Sequence, residues 1–105
     1  MSAQRKADVT LVLLAAGAST RFGRPKQLLQ FEGRSLLRHL ATVGTSSHAK
    51  SVHVVLGAYA ELLKHQLHGL DIRTVVNSNW NSGISSSLHA AIKSLDRSTK
   101  AILIV

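Results

Sequence analysis

Between residues 14 and 26 the chain reads Leu14-Ala15-Ala16-Gly17-Ala18-Ser19-Thr20-Arg21-Phe22-Gly23-Arg24-Pro25-Lys26. An apolar run passes into small residues and then into three cations, a combination suited to a polyphosphate. Ala15, Ala16 and Gly17 let a ligand lie against the main chain, and Gly17 can take a positive φ that larger residues resist. Backbone N–H groups are then free to face an anion. Ser19 and Thr20 add hydroxyl donors, while Arg21 offers a planar fork and Lys26 a point charge. Pro25 stiffens the backbone just ahead of Lys26. Two common phosphate loops are excluded: the spacing of Gly17, Gly23 and Lys26 does not fit G-x-x-x-x-G-K-[ST], and no G-x-G-x-x-G follows a strand.

Those residues must be carried by an α/β framework. Four apolar runs, Val9 to Leu14, Val52 to Leu56, Ile72 to Val76 and Ala101 to Val105, read as strands. Helical patterns lie between them. Leu36, Leu37, Leu40 and Val43 give one from about Ser35 to Thr45, Leu62, Leu63 and Leu67 a shorter one from about Tyr59, and Ile84, Leu88, Ala91, Ile92 and Leu95 a third. Gly44 to Ser47 reads as a loop. Strands alternating with helices predict βαβ units in a mostly parallel sheet, with ligands beyond the carboxyl ends of its strands. The segment after the first strand and the segment Val76 to Ser87 both fall at such ends.

Two motifs carry a family resemblance. Leu14 to Leu29 is similar to the pattern L-A-A-G-x-S-x-R-x-G-x-P-K-x-L-L, and Asn77-Ser78-Asn79-Trp80-Asn81-Ser82-Gly83-Ile84-Ser85-Ser86-Ser87-Leu88 to N-x-x-W-x-x-G-[IM]-x-x-S-L. With both, in this order, the chain resembles the MobA-like NTP transferases, nearest to the molybdenum cofactor cytidylyltransferases. Related guanylyltransferases carry a second glycine where Ala16 stands and an acid where Pro25 stands. The resemblance implies a three-layer, glycosyltransferase-A-like (Rossmann-like) nucleotide-binding fold of which residues 1–105 are the amino-terminal part. It implies transfer of a nucleoside monophosphate, CMP first, from an NTP to a phosphorylated acceptor such as the molybdopterin cofactor, with release of pyrophosphate. Sugar-phosphate and guanylyl transfer are related alternatives. So is a non-catalytic nucleotide-binding fragment or regulatory module.

By the same resemblance Lys26 and Arg21 are catalytic, with Lys26 neutralising the triphosphate as the acceptor oxygen attacks. Leu14, Ala15, Ala16, Gly17, Ser19, Lys26, Asn77, Gly83 and Ser87 bind the nucleotide. Gly83 and Ser87 should flank the base or ribose, where Ser85 to Ser87 open a helix with exposed N–H groups; capping by Asn81 or Ser82 is the alternative. Trp80 is expected to pack on that helix more than to stack on a base. The metal is expected to be magnesium, held by an aspartate just past the fourth strand. The acids Asp8, Glu32, Glu61, Asp71 and Asp96 do not stand at carboxyl strand ends beside the nucleotide, Glu32 lying in a loop of unknown path. No complete metal site is therefore expected within these residues. His65 and His68 lack a third ligand, and His39, His53 and His89 read as ordinary positions.

The remaining composition sets broad limits. The 105 residues amount to one domain at most, 45% hydrophobic and 17% charged, a globular balance. The formal charge of +8, from 13 Lys plus Arg against 5 Asp plus Glu, favours anionic partners. Nucleic acid is disfavoured, because the cations are scattered and the four aromatics Phe22, Phe31, Tyr59 and Trp80 do not interleave with them. No apolar run approaches the roughly 18 residues that span a bilayer. There is no cysteine, so disulfides and thiolate metal sites are unavailable. The expectation is a cytoplasmic chain whose partners are a nucleotide and a small phosphorylated acceptor.

Overall fold

The computed structural model describes residues 7–21, 23–96, 99 and 101–104. Strand β1, Ala7–Ala15, runs into a loop and two small ribbons: β2, Thr20–Arg21, with β3, Arg24–Pro25, and β4, Gln30–Phe31, with β5, Arg34–Ser35. Helix α1, Leu36–Thr45, leads to β6, Ala49–Leu56; α2, Ala60–Lys64, leads to β7, Arg73–Val76; α3, Ile84–Ser94, leads to β8, Ala101–Ile104. The fourth strand expected to reach Val105 is seen to Ile104, and Val105 lies outside the described residues.

The sheet order is β7-β6-β1-β8, with every pairing parallel. The first two crossovers step outward from β1 and the third returns to its other side. Because such crossovers are right-handed, the reversal sends α3 to the opposite face from α1. Three layers result. On one side Leu37 and Ala41 of α1 and Leu63 of α2 pack on Leu13, Ala15, Val52, Val54 and Leu56. On the other, Ala91 of α3 packs on Val12, Ala16 and Val55, with Leu14, Val75 and Trp80 around them. The turn in direction at β1 also opens a crevice at the carboxyl ends of the strands, the position where open α/β sheets bind ligands.

Local sequence explains the element ends. Ser35 starts α1 by accepting the Arg38 N–H on its hydroxyl at 3.1 Å, an N-cap bond. At the other end the helix runs to Thr45, where its apolar pattern ends, so of the loop expected over Gly44 to Ser47 only Ser46 and Ser47 lie outside it. Helix α2 is shorter than its pattern and finishes as a 3-10 turn, His65–Leu67.

Helix α3 corrects the reading of its apolar face. Ile84 and Ile92 are 70% and 58% exposed, while Ser87 and Ala91 are buried. Small side chains on the row Ser87, Ala91, Ser94 let the backbone approach the sheet closely, while of the periodic row Ala91 is buried, Leu88 and Leu95 are half-buried, and Ile84 and Ile92 are turned outward. Packing volume, rather than hydropathy, chose the buried face. Ala91→Leu should therefore cost about 1–3 kcal/mol by overpacking, while Ile92→Ser should stay within about 0.5 kcal/mol. Urea unfolding midpoints compare the two, and a larger loss for the isoleucine variant would restore the original face.

Candidate functional site

The loop after β1 is held by its carbonyl groups. Gln27 Nε2 donates to the oxygens of Ala15 at 3.0 Å and Gly17 at 3.3 Å. The Ala58 N–H donates to Ala16 O at 2.9 Å, and the Tyr59 hydroxyl to Ala18 O at 3.4 Å. Four successive acceptors are thus turned to the protein. Among the described residues no backbone hydrogen bond uses the N–H of Gly17, Ala18 or Ser19, so these donors remain for a ligand. Gly17 contributes differently from the expectation. Its φ is not positive, and a Cβ added there would meet nothing within 4 Å, so its value is the open space above the backbone.

Opposite that loop, β7 leads through Asn77 to the start of α3. Asn77 is buried, and its side chain is fully used: Nδ2 donates to Ser86 Oγ at 2.8 Å and Ser87 Oγ at 3.1 Å, and Oδ1 accepts the Asn79 N–H at 3.0 Å. These bonds leave its amide no free N–H for the nucleotide contact expected of it. Asn77 is a positioning residue that fixes Ser86 and Ser87. Neither Asn81 nor Ser82 caps α3; Ser82 Oγ donates instead to Asn79 Oδ1 at 2.9 Å. The cap position is Gly83, at φ 109°, with no side-chain cap bond. A non-glycine residue strains to adopt that angle, and the uncapped first turn presents N–H groups and the positive end of the helix dipole.

Loop and helix start enclose a cleft of about 430 Å³ lined by Leu14, Ala16, Gly17, Ala18, Trp80, Asn81, Gly83, Ile84 and Ser87. Five of the residues selected from sequence, Leu14, Ala16, Gly17, Gly83 and Ser87, meet here. Trp80, Asn81, Ile84 and Ala18 had not been selected; Trp80 both packs with Val12, Ala16 and Val55 and forms a wall. Their signal was proximity to the two motifs, which helical periodicity obscured for Ile84.

Lys26 and Ala15 do not line this cleft. They open on a neighbouring one of about 120 Å³ with Leu13, Leu14, Gln27, Leu36, Leu37 and Leu40. Leu14 borders both, so the loop forms the divide between them. Gln27 Oε1, beside Lys26, is buried without a partner, an acceptor that a ligand or water must complete. Ser19 is exposed at the top of the divide, its carbonyl accepting the Lys26 N–H at 3.1 Å. The Arg21 side chain lies outside the described residues.

Glu32, Glu61, Asp71 and Asp96 line neither cleft, and Glu32 sits at φ 50° in the turn between β4 and β5. Among the described residues no group of three or more His, Asp or Glu side chains could hold a metal ion. These residues do not fit a divalent cation at the cleft. Nor is any described helix long and apolar enough to cross a membrane.

Gly57 sets the width of the cleft. A Cβ there would lie 2.5 Å from Trp80 Cβ and 2.9 Å from Ala16 O. Gly57→Ala should displace Trp80, the only tryptophan in the chain, shifting its emission to the red and costing about 1–3 kcal/mol. An unchanged spectrum would mean the indole does not rest on residue 57.

Residues 11–105 match the MobA-like NTP transferase domain. Nicotine blue oxidoreductase of Paenarthrobacter nicotinovorans is 44% identical over 80 residues, 75% of this chain and 39% of that protein. A nucleotidyl transferase from Methanothermobacter thermautotroptrophicus superposes with a TM-score of 0.76 at 27% identity, over 92% of this chain and 49% of that one. Rv0371C of Mycobacterium tuberculosis H37Rv, solved in complex with manganese, superposes with a TM-score of 0.66 at 25% identity, over 94% and 50%. The chain therefore spans half or less of the length of these relatives.

Proposed function

Since this chain belongs to the MobA-like NTP transferase domain family, we propose that it supplies the nucleotide-binding half of an enzyme that moves a nucleoside monophosphate, CMP first, from an NTP to a phosphorylated acceptor such as molybdopterin cofactor. The observation that carries this reading is the loop whose carbonyls are all pinned backward. Its free N–H groups suit phosphate oxygens. The apolar walls Leu14, Trp80 and Ile84 suit a base and ribose, and the uncapped start of α3 adds donors beside them.

In this arrangement the triphosphate crosses the divide at Gly17 to Ser19 and extends toward Lys26. The acceptor's phosphate oxygen attacks the α-phosphorus, the bond to the bridging oxygen breaks, and pyrophosphate leaves. Lys26 offsets the charge that develops, an electrostatic role of the kind that dominates phosphoryl chemistry. Arg21 holds the outgoing phosphates. The manganese in Rv0371C supports a divalent-ion requirement in the whole protein, magnesium by preference, with ligands other than the described residues.

A second reading is favoured by the 44% identity to an oxidoreductase and by a cleft that lacks both carboxylates and Lys26. Such a cleft could hold a flat heteroaromatic substrate or a hydride donor. The full-length protein should release pyrophosphate from CTP when given acceptor, and CTP should perturb Trp80 emission more than GTP or ATP does. Lys26→Ala should lower turnover at least about a hundredfold; near-normal turnover refutes its role. Oxidation of a reduced dinucleotide without pyrophosphate release would transfer the case to the redox reading.

A further inference from the structure

The α3 face of the sheet changes character along the strands. Leu14, Val55 and Val75 stand side by side near the carboxyl ends, and one level below them stand Val12, His53 and Arg73. A further level down, Thr10 stands beside Ser51. Parallel neighbours in register project to the same face, so a sandwich that begins apolar becomes polar beneath the last turn of α3. That is an expensive composition for an interior layer unless the groups are bonded or hydrated.

Most of the neutral groups are bonded. Thr10 Oγ1 and Ser51 Oγ are 2.8 Å apart. The Ser94 hydroxyl donates to Ala91 O at 2.6 Å, so its 2.8 Å contact with His53 Nδ1 is donated by the imidazole. The cations Lys50, Arg73 and Lys93 stand exposed at the rim of this layer, where solvent hydrates them. Arg73 and Lys93 have neither a hydrogen bond nor an ion pair to another described residue through their side chains, whereas Lys50 and Asp96 are engaged.

These residues surround a cavity of about 510 Å³ whose charged lining is Lys50, Arg73, Lys93 and Asp96, beside His53 and the Thr10, Ser51 and Ser94 hydroxyls. The volume is that of a small-molecule site and far exceeds the roughly 30 Å³ share of one water. Among the described residues, three cations to one acid leave a surplus of two positive charges. Five residue steps along β6 separate Ser51 from Leu56 at the nucleotide end, about 16 Å at the rise of a strand.

We propose that this cavity is an oxyanion site for the phosphoryl group of inorganic phosphate or of a small phosphate ester, held by Arg73 and Lys93 with the one hydroxyl proton that the Thr10–Ser51 pair leaves free. A dianion cancels the surplus charge, and its tetrahedral oxygens accept from both ammonium and guanidinium groups. The site is independent of the nucleotide cleft and of the reaction proposed there.

His53 provides a reporter inside the cavity. Burial, and then the Arg73 charge, hold its imidazole below the ordinary histidine value. Bound phosphate opposes the second effect and raises it, while Lys50, Lys93 and Asp96 contribute fixed charge in both states.

The full-length protein would be titrated with inorganic phosphate and, separately, with glycerol phosphate, at ionic strength held constant with sodium chloride. His53 ring resonances and Trp80 emission would be followed together. The expected result is a saturable His53 shift, a rise in its titration midpoint, and unchanged Trp80 emission; the tighter of the two ligands identifies the source of the phosphoryl group. Arg73→Gln, a change at an exposed residue, should weaken binding at least about tenfold, as expected for loss of a charged hydrogen bond, and Lys93→Gln should weaken it as well. An equal response to chloride overturns the proposal. So does full affinity in Arg73→Gln with His53 still dispersed, or a shift that tracks Trp80 and so reports the nucleotide cleft.

Discussion

In the proposed function, the grip on a phosphate chain depends on where four carbonyl oxygens point. A small-residue loop is not in itself an anion site, because a flexible peptide offers acceptors as readily as donors. Here the acceptors of Ala15, Ala16, Gly17 and Ala18 are drawn inward by Gln27, Ala58 and Tyr59, three residues from two separate segments. The donors are left outward by subtraction. Two of the three anchors follow β6, so the parallel register of β1 with β6 is what brings the anchors to the loop.

The opposite wall is organised in the same manner. Asn77 leaves the end of β7 with its N–H on Leu56 O at 2.7 Å, and its side chain then locks Ser86 and Ser87. The start of α3 is thereby tied to the sheet by hydrogen bonds instead of by an apolar plug, which leaves the cleft open between Trp80 and Ile84. The close seating of Ser87 and Ala91 is the packing counterpart of that tether. A bulky side chain on this row would lift the helix and separate the two walls.

Much of this was legible in the residues. Strand and helix order followed from apolar runs and spacing, and the two motifs led to the two walls of one cleft. What escaped was decided by tertiary partners. Helical periodicity selected Ile84 and Ile92 for burial, but periodicity reports only that a face is apolar, whereas seating against a sheet also demands small volume. Asn77 was read as a ligand group, since sequence cannot show that its amide N–H groups are engaged by two serines. His53 passed as ordinary because its neighbours Arg73 and Ser94 are distant in the chain. Gln27 and Tyr59 carried no signal, their contributions being single bonds to main-chain oxygens.

The bond from the Lys26 N–H back to Ser19 O closes residues 19–26 into a small loop of its own, braced by the pairs Thr20 with Pro25 and Arg21 with Arg24. The main chain enters and leaves this excursion at one fixed crossing. Its circumference can therefore grow or shrink without shifting the backbone at Ser19 and Lys26, where the crossing is made. Evolution could thus lengthen or trim this excursion while the segments on either side of it stay moored to the sheet.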